Sequence, residues 1–283
     1  MKVRLKMDTS AAPATAERVK DAVHSKRLNT VCEEASCPNL GHCWNQGTAT
    51  FMIMGENCTR RCGFCDINTA RPSLLDPREP QKTADAVKEL GLRHVVITSV
   101  DRDDLKDGGS HHFARVIRAV REANPNTTIE VLIPDFKGQR DQLSRIWDER
   151  PQILNHNVET VPSLFRTICP QSSYAVSVGV IRDSAAEGLL AKSGIILGLG
   201  EELEEVREVI RDLADAGCAM LTIGQYLQPS REHAPLKNYI PVEVFDELRE
   251  YALGLGLRHV ESGPLVRSSY HASASLDALL GNS

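Results

Sequence analysis

No apolar run in this sequence approaches the roughly 20 residues needed to cross a bilayer, so a helical membrane span is excluded and a membrane is not expected as a partner. A leader is not evident either. Met1 to Ser10 carry Lys2, Arg4 and Lys6, but no apolar block follows, so neither a secretory signal nor an organellar transit peptide is expected. The expected compartment is the cytoplasm. Basic excess is also missing: Lys and Arg number 33 against 38 Asp and Glu, a formal charge of -5 with neutral His. A general polyanion binder is normally basic, which makes nucleic acid a poor expectation. No clean repeat or low-complexity linker divides the chain. With 41% hydrophobic and 25% charged residues, Gly 19 and Pro 14, collagen-like and disordered classes are excluded. A length of 283 residues suffices for a substantial core in one large domain or two small ones.

Cysteine is where the chain departs from the ordinary. Six of its eight cysteines fall between Cys32 and Cys65, in two groups of three. The first reads Cys32-x4-Cys37-x5-Cys43 and the second Cys58-x3-Cys62-x2-Cys65. In a reducing compartment a disulfide framework is not expected, and crowded thiols point to metal. Structural zinc wants four ligands, commonly in Cys pairs. Two triplets fit that poorly, although His42 stands beside Cys43. Iron–sulfur clusters take thiolates readily and tolerate an open position, and an open position on a bound metal is a place for chemistry.

After the cysteines, short apolar runs alternate with longer amphipathic ones. Strands are expected at Phe51–Met54, His94–Thr98, Ile129–Ile133, Ile153–Asn155, Ile195–Leu199, Met220–Gly224 and Arg258–Glu261. Helices are expected around Lys82–Leu90, His112–Ala123, Gln139–Glu149, Leu164–Ala191, Glu202–Ala216 and Pro241–Leu253. In Glu202–Ala216, Leu203, Val206, Val209, Ile210 and Leu213 recur at helical spacing, and Gly217 stops the helix. Strand–helix alternation repeated six times argues for a parallel sheet covered by helices, as a full or partial barrel or as an open doubly wound sheet. Both put chemistry at the carboxyl ends of the strands. Those ends carry Thr98 and Ser99, Pro134 and Asp135, Asn155, Asn157 and Glu159, Gly198, Gly200 and Glu201, then Gln225, Gln228 and His233. Arg267-Ser268-Ser269-Tyr270 follows the last strand, and all are expected to converge on the second cysteine triplet.

The run Cys58-Thr-Arg-Arg-Cys-Gly-Phe-Cys65 resembles the signature of the radical S-adenosylmethionine superfamily, Phe64 included. The run from Thr30 to Asn39 with Cys43 following resembles, more narrowly, the N-terminal signature of the lipoyl synthase family. So do Gly47-Thr-Ala-Thr-Phe51, Asn155-His-Asn-Val-Glu-Thr160, Gly198-Leu-Gly-Glu201, Gln225-Tyr-Leu-Gln-Pro-Ser230 and Arg267-Ser-Ser-Tyr270. The resemblance implies an α/β partial TIM-type (β/α)6 barrel with a cysteine-rich N-terminal extension at 1–48, the barrel at 49–262 and a C-terminal extension at 263–283. It implies two [4Fe–4S] clusters and S-adenosyl-L-methionine. Cys58, Cys62 and Cys65 would hold the cluster that cleaves the cofactor. Cys32, Cys37 and Cys43 would hold an auxiliary cluster with Ser268 or Ser269 as fourth ligand. That cluster gives up sulfur to C6 and C8 of an octanoyl chain on a lysine. The implied partners are octanoylated lipoyl carrier domains, namely acyltransferase subunits of 2-oxoacid dehydrogenases and the glycine-cleavage H protein. An electron donor such as ferredoxin or flavodoxin and an iron–sulfur carrier are implied as well.

Other residues admit two readings. Thr98 and Ser99 suit the methionine part of the cofactor. Asn155 and Glu159 suit cofactor contact or ordinary capping, and Gly198 suits close approach of the cofactor or a plain turn. Asp101-Arg-Asp-Asp104 reads as a solvated loop or as part of the site, and Glu201 to Glu205 as the negative first turn of a helix. Cys218 reads as a small buried hydrophobe, and Cys169, standing where the family pattern suggests arginine, as an incidental thiol. Two other departures are a missing Trp-Leu element upstream of Cys32 and Ala191 in place of threonine before Lys192-Ser-Gly194. Rival functions are another two-cluster radical enzyme that inserts sulfur or transfers methylthio groups, a ferredoxin-type electron carrier, and a zinc-binding module.

Overall fold

The computed structural model of the protein describes residues 14–35, 37–45, 50–270 and 272. Met1–Ser10, Ser36 and Gly47-Thr48-Ala49 lie outside the described residues. Three helices come first: α1 (Ala14–Ser25), α2 (Val31–Glu34) and α3 (Leu40–Asn45), with a two-residue strand β1 (Asn29–Thr30) between the first two. Strands β2 (Thr50–Ile53), β3 (His94–Ser99), β4 (Thr128–Leu132), β5 (Ile153–Asn155), β6 (Leu190–Leu197), β7 (Met220–Gln225) and β8 (His259–Gly263) follow. Each is parallel to the one before it, and β1 alone pairs antiparallel, against β2.

Parallel neighbours need a crossover, which a helix supplies. Here the crossovers are α4 (Glu79–Leu90), α5 (Ser110–Ala123), α6 (Arg140–Asp148), α7 (Pro162–Ile168) with α8 (Tyr174–Ala186), α9 (Leu203–Asp215) and α10 (Val242–Gly254). The strands lie side by side in chain order, and among the described residues no pairing closes β8 onto β1. The result is a partial (β/α)6 barrel, open at one side. In α9 the expected face is the buried one: Val206, Val209, Ile210 and Leu213 pack against β6 and β7 residues such as Leu197 and Ile223. Burying each such side chain is worth about 1.5–3 kcal/mol.

Two expectations need correction. The single helix Leu164–Ala191 is two helices. Pro170 cannot continue α7 because it has no N–H, and α8 ends before Gly188, whose φ of +81° is left-handed. Its last residues belong instead to β6, which starts at Leu190 and ends at Leu197, not at Ile195 and Leu199. Lys192 disguised that strand. A lysine reads as surface, yet it is 2% exposed and its Nζ donates to Glu130 Oε1 at 2.8 Å across β5. Among the described residues no helix is long and apolar enough to cross a membrane.

Candidate active site

Because all seven parallel strands point the same way, their carboxyl ends share one rim, and a cavity of about 1110 Å³ opens there. All six cysteines of the two triplets line it, together with Thr98, Ser99, Asn157, Glu159 and the Arg267–Tyr270 segment. The first triplet arrives on α2 and α3. Thr30 caps α2, its Oγ accepting from Glu33 N at 3.3 Å, and Cys32 sits in that turn. The Cys37 N–H donates to Cys32 O at 3.1 Å, and that of Cys43 to Asn39 O at 2.9 Å. Asn39 Nδ2 also donates to Leu265 O at 2.7 Å, and the His42 and Tyr270 rings stand 6.3 Å apart. These contacts bring the closing serine loop against the first triplet.

The second triplet is on the loop after β2, and Arg60 anchors it. This guanidinium is 2% exposed, with Nε 2.8 Å from Asp103 Oδ2, Nη2 3.0 Å from Asp103 Oδ1 and Nη2 2.8 Å from Asp135 Oδ1. Nη1 donates to Ser172 Oγ at 3.1 Å. Thr59 Oγ donates to Asp101 O at 2.9 Å and accepts from Asp103 N at 3.0 Å. The cysteine loop is thereby fastened to the loops after β3, β4 and α7. From another side His233 Nε2 donates to Cys65 O at 3.1 Å, and Ala234 N to Gly63 O at 2.7 Å. The acidic run after β3 is therefore not a solvated loop: Asp101 and Asp103 face Arg60. Arg60→Ala should leave buried Asp135 unpaired, a change that costs about 3–5 kcal/mol at buried pairs, and should lower the iron the protein takes up on reconstitution. Arg61→Ala, at an exposed neighbour, should leave both unchanged. Thermal melts and iron content of the two variants check this.

The polar residues at the other strand ends divide into two groups. Asn157 Nδ2 donates to Ser268 Oγ at 2.7 Å and to Glu159 Oε1 at 3.2 Å, linking the closing loop to the barrel. It has room only because residue 194 is glycine: a Cβ there would meet Asn157 Oδ1 at 2.6 Å. Asn157 Oδ1, Ser99 Oγ and His156 Nε2 are buried atoms of cavity-lining residues with no protein partner. Such atoms are costly unless something hydrogen-bonds to them, so they suit a polar small molecule. Thr98 is partly committed, its Oγ donating to Leu132 O at 3.0 Å. Asn155 and Gly198 are not among the lining residues. Asn155 is fully buried within β5, and a Cβ on Gly198 would meet Gln225 Nε2 at 2.3 Å, so this chain's own glutamine fills the space in front of that glycine. Glu201 is not simply a helix-turn acid: its carboxylate accepts from Gly198 N at 2.5 Å and Leu199 N at 2.9 Å.

Burial shapes the electrostatics. It pushes the Cys43 and Cys65 thiols up to about 12 and Cys58 up to about 11, and raises Cys32, with neighbouring cysteines of each triplet adding to the effect. Thiols held protonated are poor nucleophiles. They become thiolates when a metal supplies the compensating charge, so buried cysteines of this kind suit an iron–sulfur cluster. Cys58 Sγ also accepts from Asp101 N at 3.3 Å and Arg60 N at 3.4 Å, the kind of bonds that stabilise a coordinating sulfur. Burial raises Asp101 to about 6 against the pull of Arg60, and raises Glu159 to about 7 against its bond from Asn157. His156 is lowered by burial and donates through Nδ1 to Ile133 O, which leaves neutral Nε2 as an acceptor.

The family model of the radical SAM superfamily matches residues 52–213, the segment from β2 into α9. A lipoyl synthase of Leptospira interrogans serogroup Icterohaemorrhagiae serovar copenhageni is 52% identical over 258 residues, 91% of this chain and 86% of that protein. One from Aeromonas salmonicida is 51% identical over 273 residues, 95% of this chain and 83% of that protein. The chain belongs to the lipoyl synthase family. Lipoyl synthases are radical SAM enzymes, and insertion of sulfur is a sulfurtransferase-type reaction. Solved structures agree at the level of fold. Methylornithine synthase (PylB) superposes with a TM-score of 0.55 at 16% identity, covering 87% of this chain and 77% of its own. The hydrogenase maturase HydG from Carboxydothermus hydrogenoformans gives 0.56 at 13%, covering 93% and 78%.

Three cavity residues escaped the sequence reading. Arg60 cannot be told from Arg61 in Cys-Thr-Arg-Arg-Cys, since only the fold supplies its carboxylates. His156 lies inside Asn155-His-Asn-Val-Glu-Thr160, and only the fold shows its buried Nε2 without a protein partner in a residue that lines the cavity. Cys169 lines the cavity beside the second triplet, so it is not incidental in position.

Proposed function

We propose that this chain is a lipoyl synthase acting on an octanoyl chain amide-linked to a lysine of lipoyl carrier domains, inserting one sulfur at C6 and one at C8. What carries the reading is the shared cavity. Both cysteine triplets and the Ser268-Ser269 loop line one space, so a radical made at one triplet and sulfur held at the other can meet the same alkyl chain. A saturated C–H bond has no acidic proton, and general acid–base or nucleophilic catalysis cannot activate it. When bound at Cys58, Cys62 and Cys65, a [4Fe–4S] cluster supplies the electron that cleaves S-adenosyl-L-methionine and so generates the hydrogen-abstracting radical.

The chain's own residues bind, orient and exclude water. Arg60, His233 and Ala234 fix the cysteine loop. Ser99, Asn157 and Glu159 offer polar contacts to the cofactor, with His156 Nε2 as a further acceptor. The auxiliary cluster is itself a substrate, since its sulfur is consumed. Cys32, Cys37 and Cys43 hold it, with Ser268 or Ser269 as fourth ligand. A hydroxyl oxygen is a poor partner for soft metal, which suits an iron that must be released. Residues 1–48 and 263–283 would then serve as extensions of the 49–262 barrel that carry the donor cluster. An external one-electron donor of ferredoxin or flavodoxin type and an iron–sulfur carrier that rebuilds the donor cluster complete the cycle, in the cytoplasm.

The test is anaerobic reconstitution followed by S-adenosyl-L-methionine, a reductant and an octanoyl-lysine peptide, with 5′-deoxyadenosine and peptide mass measured together. Cofactor cleavage coupled to gain of two sulfurs is expected. Cleavage with an unchanged peptide would mean a radical enzyme of other substrate. Absence of cleavage despite full iron and sulfide would favour an electron carrier. Ser268→Ala and Ser269→Ala, compared for iron at the first triplet, separate the two serines.

A further inference from the structure

Three segments meet at Gly63. Its N–H donates to Ile168 O at 2.7 Å, and its carbonyl accepts from Ala234 N at 2.7 Å. Two residues earlier, Arg61 N donates to Gln171 Oε1 at 2.7 Å. The cysteine loop, the end of α7 and the loop after β7 are thus held edge to edge on one side of the cavity mouth. Each segment carries an exposed arginine: Arg61, Arg166 and Arg231. Arg61 lines the cavity, Arg166 stands between the lining residues Phe165 and Thr167, and Arg231 directly precedes the lining residue Glu232.

These three lack counter-charge. On the outer helices cations are matched: Arg140 pairs with Glu187, Arg207 with Glu247 and Arg211 with Glu204, whereas Arg61, Arg166 and Arg231 make no ion pair among the described residues. Acids on the same segments offset them little. Asp66 lies 3.9 Å from His233, and Glu232 is the one exposed carboxylate in 58–66, 162–171 and 226–240. A chain of net charge -5 therefore has a locally positive edge where its cavity opens. The same edge is apolar at its centre, for Leu227 is 39% exposed, Pro229 is exposed, and both line the cavity.

We propose that this edge docks the carrier domain through an acidic face beside its octanoyl-lysine, with Arg61, Arg166 and Arg231 receiving carboxylates while Leu227 and Pro229 cover the apolar stem of the modified side chain. This rests on the substrate reading given above. A guanidinium matches a carboxylate with two parallel N–H···O bonds and is more weakly hydrated than an ammonium. Charge of one sign at a cavity mouth steers an oppositely charged partner and fixes its orientation. An apolar centre with arginine around it is also the make-up of protein contact surfaces. Nucleic acid wants a basic stripe on a basic domain, and here acids outnumber bases. The edge thereby selects among lysines: one set in acidic surroundings is admitted, and one set among basic residues is repelled.

The experiment is fluorescence anisotropy with the intact, reconstituted protein and three labelled peptides of equal length. Each has a central octanoyl-lysine, flanked by glutamates, glutamines or lysines. At low salt the glutamate peptide should bind about tenfold more tightly than the glutamine peptide, the combined effect of three exposed ion pairs. That gap should close as ionic strength rises. Arg61→Gln, Arg166→Gln and Arg231→Gln together should remove it, whereas Lys88→Gln with Arg93→Gln, exposed cations just before β3 at the opposite end of the barrel, should keep it. Arg61→Glu, Arg166→Glu and Arg231→Glu together should reverse the order in favour of the lysine peptide, a result an unfolded protein cannot give. Equal affinity of the parent for the glutamate and glutamine peptides would overturn the proposal, and so would a gap that survives the triple change to glutamine. A single-stranded oligonucleotide that displaces the glutamate peptide as well as its unlabelled copy does would overturn the carrier domain as occupant. Failure of the substrate reading looks different: an acetyl-lysine peptide would then bind as tightly as its octanoyl counterpart, whatever its flanks, and the carrier domain would fall with that reading.

Discussion

Cys32→Ala is expected to keep cleavage of S-adenosyl-L-methionine while thiolated peptide falls to background. The two triplets sit on separate segments with separate anchors. Cys32 lies in α2 and relates to Cys37 through a backbone bond, whereas Cys58 to Cys65 are held by Arg60, His233 and Ala234. Removing Cys32 from the first triplet should therefore leave the second triplet's geometry in place. Cys58→Ala is expected to abolish both activities. Liquid chromatography of 5′-deoxyadenosine with mass spectrometry of the peptide checks both variants. Loss of cleavage in Cys32→Ala would mean that the triplets work as one site and would overturn the division of labour proposed here.

The second large effect concerns stability. Glu130 and Lys192 form an ion pair in the barrel interior with side chains 0% and 2% exposed, and His94 Nε2 lies 3.7 Å from the other Glu130 oxygen. Removing one partner of such a pair strands a buried charge and costs about 3–5 kcal/mol. Lys192→Met should therefore lower Tm by roughly 6–15 °C in a protein of this size. Replacing both residues with apolar side chains, Glu130→Leu with Lys192→Met, should recover much of the loss. The pH dependence has a definite sign. Burial alone would raise Glu130, but Lys192 and His94 outweigh it and hold the carboxyl below its usual range. The pair's contribution is thus present above the ordinary carboxylate pKa and lost as pH falls through the folded value. The deficit of Lys192→Met should shrink as pH is lowered, because its Glu130 can take up a proton. A gap in Tm that is constant with pH would show that packing, not charge, sets the cost.

Much of this protein was legible in one dimension. Cysteine spacing needs no fold to be read, because a cluster loop takes its ligands from one short segment. Val206, Val209, Ile210 and Leu213 announced α9, since a helix that buries one face must repeat its apolar residues every three or four positions. Much of the strand-end list was legible for a similar reason: in a parallel sheet the carboxyl ends share one rim, so Ser99, Asn157, Glu159 and His233 converge there whatever their separation in sequence, whereas Asn155, Gly198, Gly200 and Glu201 do not line the cavity.

Where the sequence fell silent, long-range partners decided. Lys192 reads as surface until Glu130, 62 residues away, is found across β5. Arg60 and Arg61 are equivalent letters until three loops bring Asp103, Asp135 and Ser172 to one of them. Gly198 reads as open space until Gln225 is seen to fill it. Cys169 reads as an incidental thiol until the bond from Gly63 to Ile168 sets it beside Cys62. Ligand type and spacing, and the period of the apolar residues, are local properties, and the amino-acid order alone determined them. Which charges pair, which glycine is filled and which thiols become neighbours depend on contacts between segments far apart in the chain, and only tertiary packing decided those.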